Sequence, residues 1–145
     1  MADRERDGYV LTTDKQRVDV DTVHRWLSED AYWALGRPRE VVEATVRTGD
    51  VWSVLAPNGE QAAFARVVTD GSTFAWLCDV YVGPAHRGHG IGTWLAGQVV
   101  ADLQARGVDR VVLATRDAHA VYRRVGFDLP DRPQKYLELD LRSRR

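Results

Sequence analysis

Hydrophobic residues recur along this chain with two different periods, and the changes of period separate helices from strands. Apolar residues three or four positions apart predict helices, whereas short apolar runs and strict alternation predict strands. The helical patterns are a short helix led by Asp19 or Asp21, a helix over 38–48 that Gly49 ends, a helix from Gly90 to Arg106, and a short helix over 117–125. The strand patterns cover 9–13, 51–56, 61–69, 72–82, 110–114 and 135–141.

Together these elements predict an α/β fold with a mixed sheet and the order β-α-α-β-β-β-α-β-α-β. Turn signals at 57–59 (PNG) and 70–71 (DG) make residues 51–82 a three-stranded antiparallel meander. The strand, glycine segment, helix and strand from Thr73 to Ala114 form a βαβ crossover, so its two strands are expected to be parallel neighbours. We expect residues 1–145 to form one domain, with 142–145 as a flexible tail.

Composition narrows the classes of protein and the compartment. The chain has 145 residues, of which 44% are hydrophobic and 28% charged, and its formal net charge is −1. This balance gives no global attraction to nucleic acid or to an anionic membrane. No apolar stretch is long enough to span a bilayer, and the first ten residues do not form a signal peptide, so a cytoplasmic location is expected. With Cys78 as the one cysteine, neither an intramolecular disulfide nor a cysteine-rich zinc site is possible, and no metal is predicted.

The segment RGHGIG, residues 87–92, stands between the fourth predicted strand and the long helix. The start of a helix carries unpaired N–H groups and a partial positive charge, and glycines let the backbone come close to a ligand. The segment therefore predicts an anion site, typically for phosphate. A P-loop would need a lysine that is absent, and the spacing G-x-G-x-G differs from the dinucleotide fingerprint G-x-G-x-x-G. A tight loop that only packs the helix on the sheet is the alternative.

Two motifs give the chain a family resemblance. Arg87, Gly90 and Gly92 match the pyrophosphate motif Gln/Arg-x-x-Gly-x-Gly/Ala of the GCN5-related N-acetyltransferase (GNAT) superfamily, and the chain is similar to that family in its order of elements. A later family motif, Ala-x-x-x-Tyr-x-x-x-Gly-Phe, is met by Ala118, Tyr122, Gly126 and Phe127. One departure is Thr115, where the family often has asparagine, which affects a detail of helix capping.

The resemblance implies that acetyl-CoA lies in a cleft where the fourth and fifth predicted strands splay apart. Backbone N–H groups of the glycine loop would hold the pyrophosphate, and the backbone of residues 80–82 would pair with the pantetheine arm. The cofactor-binding residues implied are Val80, Tyr81, Val82, Arg87, Gly88, His89, Gly90, Ile91, Gly92, Thr93, Thr115 and Tyr122.

Two catalytic roles follow from the resemblance. Tyr122 falls where the family places a tyrosine beside the coenzyme sulfur, so it is predicted to protonate the leaving thiolate; a core tyrosine is the alternative. Asp79 lies beside the expected reaction centre and is predicted as the general base, the alternatives being a residue that binds a cationic acceptor or an exposed strand residue. Weaker base candidates are the histidines: His24, His86, His89 and His119.

The resemblance implies that the acceptor pocket is built largely from the first two helices and their connection. Tyr32 and Trp33 could form an apolar or cation-binding wall, and Glu29, Asp30 and Asp79 could attract an amine. Arg37 and Arg39 could instead bind a carboxylate.

The resemblance therefore implies an acetyl-CoA-dependent N-acetyltransferase that transfers acetyl directly to a primary amine. A small molecule is the expected acceptor because no second domain or peptide-docking insertion is evident. The alternatives are a protein lysine or N-terminal acetyltransferase and a non-catalytic acyl-CoA-binding sensor. The chain is expected to act as a monomer or homodimer.

Overall fold

The computed structural model describes residues 2–142, which form a six-stranded sheet with helices on both faces. The strands are β1 Arg4–Arg6, β2 Tyr9–Thr12, β3 Asp50–Leu55, β4 Gln61–Thr69, β5 Phe74–Val82 and β6 Arg110–Val112. The helices of the described part are α1 Val20–Glu29, α2 Arg39–Thr48, α3 Ile91–Ala105 and α4 His119–Arg124. Within residues 2–142, no helix combines the length and the apolar character needed to cross a membrane.

The sheet has the strand order β1-β2-β3-β4-β5-β6 and is mixed. Neighbours from β1 to β5 run antiparallel, and β6 lies parallel to β5, as the crossover through α3 predicted. The α/β fold class with a mixed sheet is therefore confirmed. Of the two N-cap candidates for α1, Asp19 is the actual cap, because its side chain accepts the Thr22 N–H at 3.1 Å.

Each face of the sheet carries its own apolar core. The helix α3 covers one face with the predicted four-residue recurrence of Ile91, Leu95, Val99 and Leu103, all of them buried. On the opposite face, α1 and α2 pack their buried valines and leucine against Val51, Phe64 and Tyr81. Helices therefore cover both faces of the sheet.

The two parallel strands β5 and β6 stay together over only three residue pairs. Phe74, Ala75 and Trp76 pair with Arg110, Val111 and Val112, after which β6 ends while β5 continues to Val82. The predicted splay between these strands is therefore present, and it exposes the edge of β5 from Leu77 onward.

A β-bulge interrupts β5 at Asp79. The register with β4 shifts between Phe64 and Arg66, and Asp79 has a φ of 51°, in the left-handed region that aspartate tolerates better than most residues. Side chains change face at this point, so Leu77 and Val80 both contact the α3 side of the sheet. The bulge thereby directs Asp79 towards the side of α1 and α2.

Two elements at the ends of the chain differ from the prediction. The sequence pattern missed β1, which forms a hairpin with β2 through Asp7 and Gly8, both with positive φ. The predicted strand over 135–141 is absent, because the alternating leucines Leu137, Leu139 and Leu141 are exposed and pair with no neighbouring strand. Residues 143–145 of the predicted flexible tail lie outside the described residues.

Candidate active site

A cleft of about 780 Å³ lies between β5 and the segment that follows β6. It begins where the two strands separate, and residues of the α1–α2 connection close its other side. Eleven candidate site residues from the sequence line it together: Asp30, Tyr32, Trp33, Arg37, Asp79, Val80, Tyr81, Val82, Arg87, Thr115 and Tyr122. Glu29 is exposed at the end of α1 and does not line the cleft.

The glycine loop ends in the N-terminus of the 15-residue helix α3. Gly88 and Gly90 have φ values of 84° and 73°, which other residues rarely adopt, so these two glycines are needed for the path of the loop. The first helical N–H bond runs from Trp94 to the Gly90 carbonyl at 3.1 Å. The N–H groups of residues 91–93 precede it and have no acceptor within the helix, so Ile91, Gly92 and Thr93 are placed as an anion site requires.

The charged side chains of the loop have other contacts. Arg87 donates through Nε to the Val82 carbonyl at 3.0 Å, lies 3.5 Å from the Asp30 carboxylate and covers the Tyr81 ring. It therefore braces the loop against β5. His89 is exposed. Sequence reasoning missed Arg6, whose guanidinium reaches the Gly90 carbonyl at 3.4 Å from the β1–β2 hairpin. No pattern near Arg6 indicated this contact, because β1 itself was missed.

The edge of β5 offers its backbone to the cleft. Beyond Trp76 no strand of the described chain pairs with this edge, so alternate N–H and C=O groups between residues 77 and 82 face the opening. The side chains of Val80 and Val82 pack on the main core, and Tyr81 is buried on the other face against Trp26. The cleft therefore meets β5 through its main chain at these positions.

Tyr122 combines a packed ring with an unpaired hydroxyl. Its ring contacts Phe127 edge-to-face at 5.8 Å between centroids and packs against the main core. Within residues 2–142 its hydroxyl has no hydrogen-bond partner, and the residue lines the cleft. Burial raises the pKa of Tyr122 to about 12, so the phenol stays protonated across the neutral range. Thr115 lies before this helix, and its hydroxyl accepts the N–H of the N-cap residue Ala118 at 3.1 Å, while Ala118 itself makes no side-chain cap bond.

Asp79 is 3% exposed and accepts three hydrogen bonds. Trp33 Nε1 donates to Oδ1 at 2.8 Å, while Arg37 and Arg66 each donate to Oδ2 at 2.8 Å. Burial alone would raise the pKa of Asp79, but the two guanidiniums outweigh it and hold the pKa below its ordinary value. A carboxylate in this state is a poor proton acceptor.

Arg66 was not among the residues predicted for the site. A signal existed in the sequence, because an arginine stands between Ala65 and Val67 in an otherwise apolar strand. Such a residue in a buried strand needs a partner for its charge. The sequence pattern does not predict which carboxylate is the partner of Arg66.

The predicted aromatic wall is present but already occupied. Tyr32 and Trp33 meet edge-to-face at 5.0 Å between centroids. The guanidinium of Arg116 lies over the Tyr32 ring at 3.9 Å, and the Arg116 N–H donates to the Tyr32 hydroxyl at 2.9 Å. The chain's own arginine thus takes the cation position on Tyr32.

Comparisons with known proteins agree with this geometry. The model of the acetyltransferase (GNAT) family matches residues 20–127. A crystal structure assigned to that family, from Xanthomonas campestris pv. campestris, is 39% identical with a TM-score of 0.85, over 91% of this chain and 92% of that one. A Gibberella zeae protein assigned as an acetyltransferase is 30% identical over 77% of this chain and 74% of its own length.

Two further proteins are also similar to the chain. Serotonin N-acetyltransferase 2 of Oryza sativa subsp. japonica is 30% identical over 86% of this chain, which spans 64% of that protein's length. An acetyltransferase fold from Clostridium acetobutylicum, solved with acetyl-CoA, is 19% identical with a TM-score of 0.64, over 92% of this chain and 95% of that one. The chain therefore belongs to the GNAT family of acetyltransferases, enzymes that transfer an acetyl group from acetyl-CoA.

Proposed function

We propose that this acetyltransferase acts on the primary amine of a small molecule and transfers the acetyl group directly. The observation that carries the proposal is the cleft itself, which has a volume of about 780 Å³ and contains both Tyr122 and the free edge of β5. That volume is typical of sites for small ligands. Residues of the α1–α2 connection line the cleft together with β5, and this favours a compact acceptor over an extended peptide.

Acetyl-CoA binding is assigned to the chain's backbone at two places. The unpaired N–H groups at the start of α3 bind the pyrophosphate, and Arg6 adds a charged donor beside Gly90. The open edge of β5 at residues 80–82 provides main-chain groups for the pantetheine arm. The positive φ values of Gly88 and Gly90 support this assignment, because they let the loop approach a ligand without side chains in the way.

The chemistry requires a neutral amine, stabilisation of developing charge and a proton for the leaving group. Acetyl-CoA supplies an activated thioester. A β5 backbone N–H near Val80 stabilises the charge that develops on the thioester oxygen. Tyr122 holds its proton at neutral pH, since its pKa is about 12, and donates it to the departing sulfur.

The role of base stays a prediction for Asp79, and the observed contacts disfavour it. Both carboxylate oxygens already accept hydrogen bonds, two of them from guanidiniums, and the lowered pKa reduces the affinity of Asp79 for a proton. We assign Asp79 the task of holding Arg37 and Arg66 in place. Solvent in the cleft then takes the proton of the amine.

We further propose that residues 1–145 form one catalytic domain that works in the cytoplasm as a monomer or homodimer. Cell fractionation tests the location, and sedimentation of the purified protein tests the oligomeric state.

The test of the proposed function uses isotope-labelled acetyl-CoA with the purified enzyme and a cell extract divided into small-molecule and protein fractions. Mass spectrometry then follows the label, with the Tyr122→Phe variant as the matched control. Label in small amines that depends on Tyr122 supports the proposal. Label on protein lysines or N-termini would favour protein acetylation instead. Coenzyme binding without transfer to either fraction would favour a sensor module.

A further inference from the structure

The buried carboxylate of Asp79 holds two arginines, so positive charge is in excess at this corner of the cleft. Arg37 NH1 and Arg66 Nε both donate to the same oxygen, Oδ2, at 2.8 Å. The two side chains come from different elements, the α1–α2 connection and β4. Their convergence on one oxygen brings the guanidiniums close together and leaves the cluster with a net charge of one positive unit.

Each guanidinium uses only one of its nitrogens in this contact. Within residues 2–142, the remaining N–H groups of Arg37 and Arg66 have no hydrogen-bond partner in the protein. The two side chains are 20% and 15% exposed, and both line the cleft. The unused donors therefore belong to a partly desolvated surface, where a charge-assisted hydrogen bond is stronger than in water.

Most other carboxylates of the cleft are already paired. Asp30 accepts the Tyr81 hydroxyl at 2.5 Å and lies beside Arg87, and Asp117 lies 3.7 Å from Arg116. Glu138 is exposed on the C-terminal segment. Arg116 also covers the Tyr32 ring, so this cation-binding position is already taken by a side chain of the protein.

We propose that Arg37 and Arg66 bind a carboxylate of the acceptor, so that the acceptor is a small molecule carrying both a primary amine and a carboxylate, as a free amino acid does. The inference rests on the proposed function and names its substrate class. A single net positive charge matches a monoanionic carboxylate better than a phosphate monoester, whose charge at pH 7 is about −1.5 to −2. The planar guanidinium forks also match the two oxygens of a carboxylate.

The bound carboxylate makes the cluster of Asp79, Arg37 and Arg66 electrically neutral, so the pair selects and positions the acceptor. This accounts for two largely buried arginines on one aspartate without giving Asp79 the role of base.

The experiment compares amines that differ only in the carboxylate: phenylalanine with phenethylamine, and 5-hydroxytryptophan with serotonin. The wild-type enzyme is expected to acetylate each amino acid with a kcat/KM about 10- to 100-fold above that of its decarboxylated partner, as a charged hydrogen bond allows. Arg37→Gln should remove most of this preference, because kcat/KM should fall much more for the amino acid than for its decarboxylated partner. Equal kcat/KM values within each pair, or a preference for the decarboxylated amine, would overturn the inference and leave the proposed function standing.

The matched control is Arg39→Gln, two positions away. Arg39 pairs with Asp21 and Glu43 on the surface and does not line the cleft, so the preference for carboxylated amines should survive its loss. Arg66→Gln should behave as Arg37→Gln does, and thermal unfolding checks that each variant is folded. A loss of preference in Arg39→Gln equal to that in Arg37→Gln would contradict the assignment.

A binding measurement separates failure of this inference from failure of the proposed function. Each amine of the pairs is titrated by calorimetry into enzyme saturated with coenzyme A, which carries no acetyl group to transfer. Amino acids that bind to wild type and not to Arg37→Gln support the carboxylate site, even if no transfer to small amines is seen. Absence of amino-acid binding to the wild-type complex would overturn it.

Discussion

At the scale of single residues, Asp79 shows how a backbone conformation and a set of contacts determine one another. Its φ of 51° belongs to a bulge, and the bulge directs its carboxylate to three donors that are 13 to 46 residues away in the chain. The family resemblance predicts Asp79 beside the expected reaction centre. It could not foresee the occupied oxygens, because the donors come from separate elements.

Asp79→Asn tests whether this residue anchors the arginines or acts as base. We expect the free energy of unfolding at pH 7 to fall by about 3 kcal/mol, because the substitution leaves two guanidiniums without a counter-charge. The acidic limb of the pH–rate profile should persist. Because the pKa of Asp79 lies below its ordinary value near 4, an acidic limb in the neutral range reflects the pKa of the acceptor amine instead. Urea denaturation and kcat/KM against pH provide the two measurements.

The control for Asp79→Asn is Asp21→Asn at the exposed pair with Arg39, where the expected loss is below about 1 kcal/mol. A flattened acidic limb in Asp79→Asn, together with unchanged stability, would restore the role of base.

Tyr122→Phe tests the general acid. The hydroxyl has no partner in the described chain, so its removal breaks no internal hydrogen bond and the fold should be unaffected. We expect kcat to fall about 100-fold, since a positioned acid contributes at least that much, with the Kd for acetyl-CoA nearly unchanged. Steady-state kinetics and calorimetry measure the two quantities.

Tyr136→Phe provides the matched control for Tyr122→Phe. Its hydroxyl contacts Arg110 outside the main cleft, and this variant should keep wild-type kcat. Full activity in Tyr122→Phe would instead make Tyr122 a core residue.

At the scale of elements, local signals predicted local structure. The glycine loop and the start of α3 follow from sequence alone, because the requirement for positive φ and the recurrence of apolar residues are both local. The alternation of apolar and polar residues over 135–141 is an equally clear local signal, but no strand forms there. A strand needs a neighbouring strand to pair with, and β6 offers only three residues for pairing. The hairpin at β1 was missed for the opposite reason, because its charged residues carry no apolar pattern.

Gly90→Ala tests the loop as a binding element, with Gly107→Ala as its control at the other end of α3. Both glycines have positive φ, 73° and 85°, so both substitutions should cost about 1–2 kcal/mol of stability. Only Gly90→Ala should weaken acetyl-CoA binding, by about tenfold in Kd, since an added Cβ lies at the anion site and 3.4 Å from Arg6. Calorimetry for both variants compares the affinities. Equal affinities would remove the phosphate site from this loop.

At the scale of the whole molecule, one buried carboxylate joins three distant parts of the chain. Asp102 of α3 accepts two hydrogen bonds from Arg4 of β1, at 2.9 and 2.8 Å, and one from Trp52 of β3 at 2.7 Å. The N-terminal hairpin, the sheet and the helix α3 are thereby connected. The sequence does not predict this connection, because Arg4 and Asp102 are 98 positions apart and hydrophobic periodicity describes only local structure.

This connection predicts how stability depends on pH. Burial alone would raise the pKa of Asp102, but the hydrogen bonds from Arg4 and Trp52 hold it below its ordinary value. A carboxylate whose pKa is lower in the folded state stabilises the protein above the unfolded pKa, near 4, and this stabilisation is lost as the pH falls through the folded pKa. Asp102→Asn should therefore cost about 2 kcal/mol at pH 7, and its difference from wild type should shrink below pH ~4.

Urea denaturation of both proteins between pH 7 and pH 3 measures this difference directly. Asp79 ionises in both proteins, so its contribution cancels and the remaining pH dependence belongs to Asp102. Asp21→Asn, at an exposed ion pair, should show a small difference from wild type throughout. A difference for Asp102→Asn that stayed constant down to pH 3 would mean that the charge of Asp102 is not what joins the hairpin to α3. The connection between the hairpin and α3 would then depend on packing and on the hydrogen bond from the uncharged Trp52 side chain.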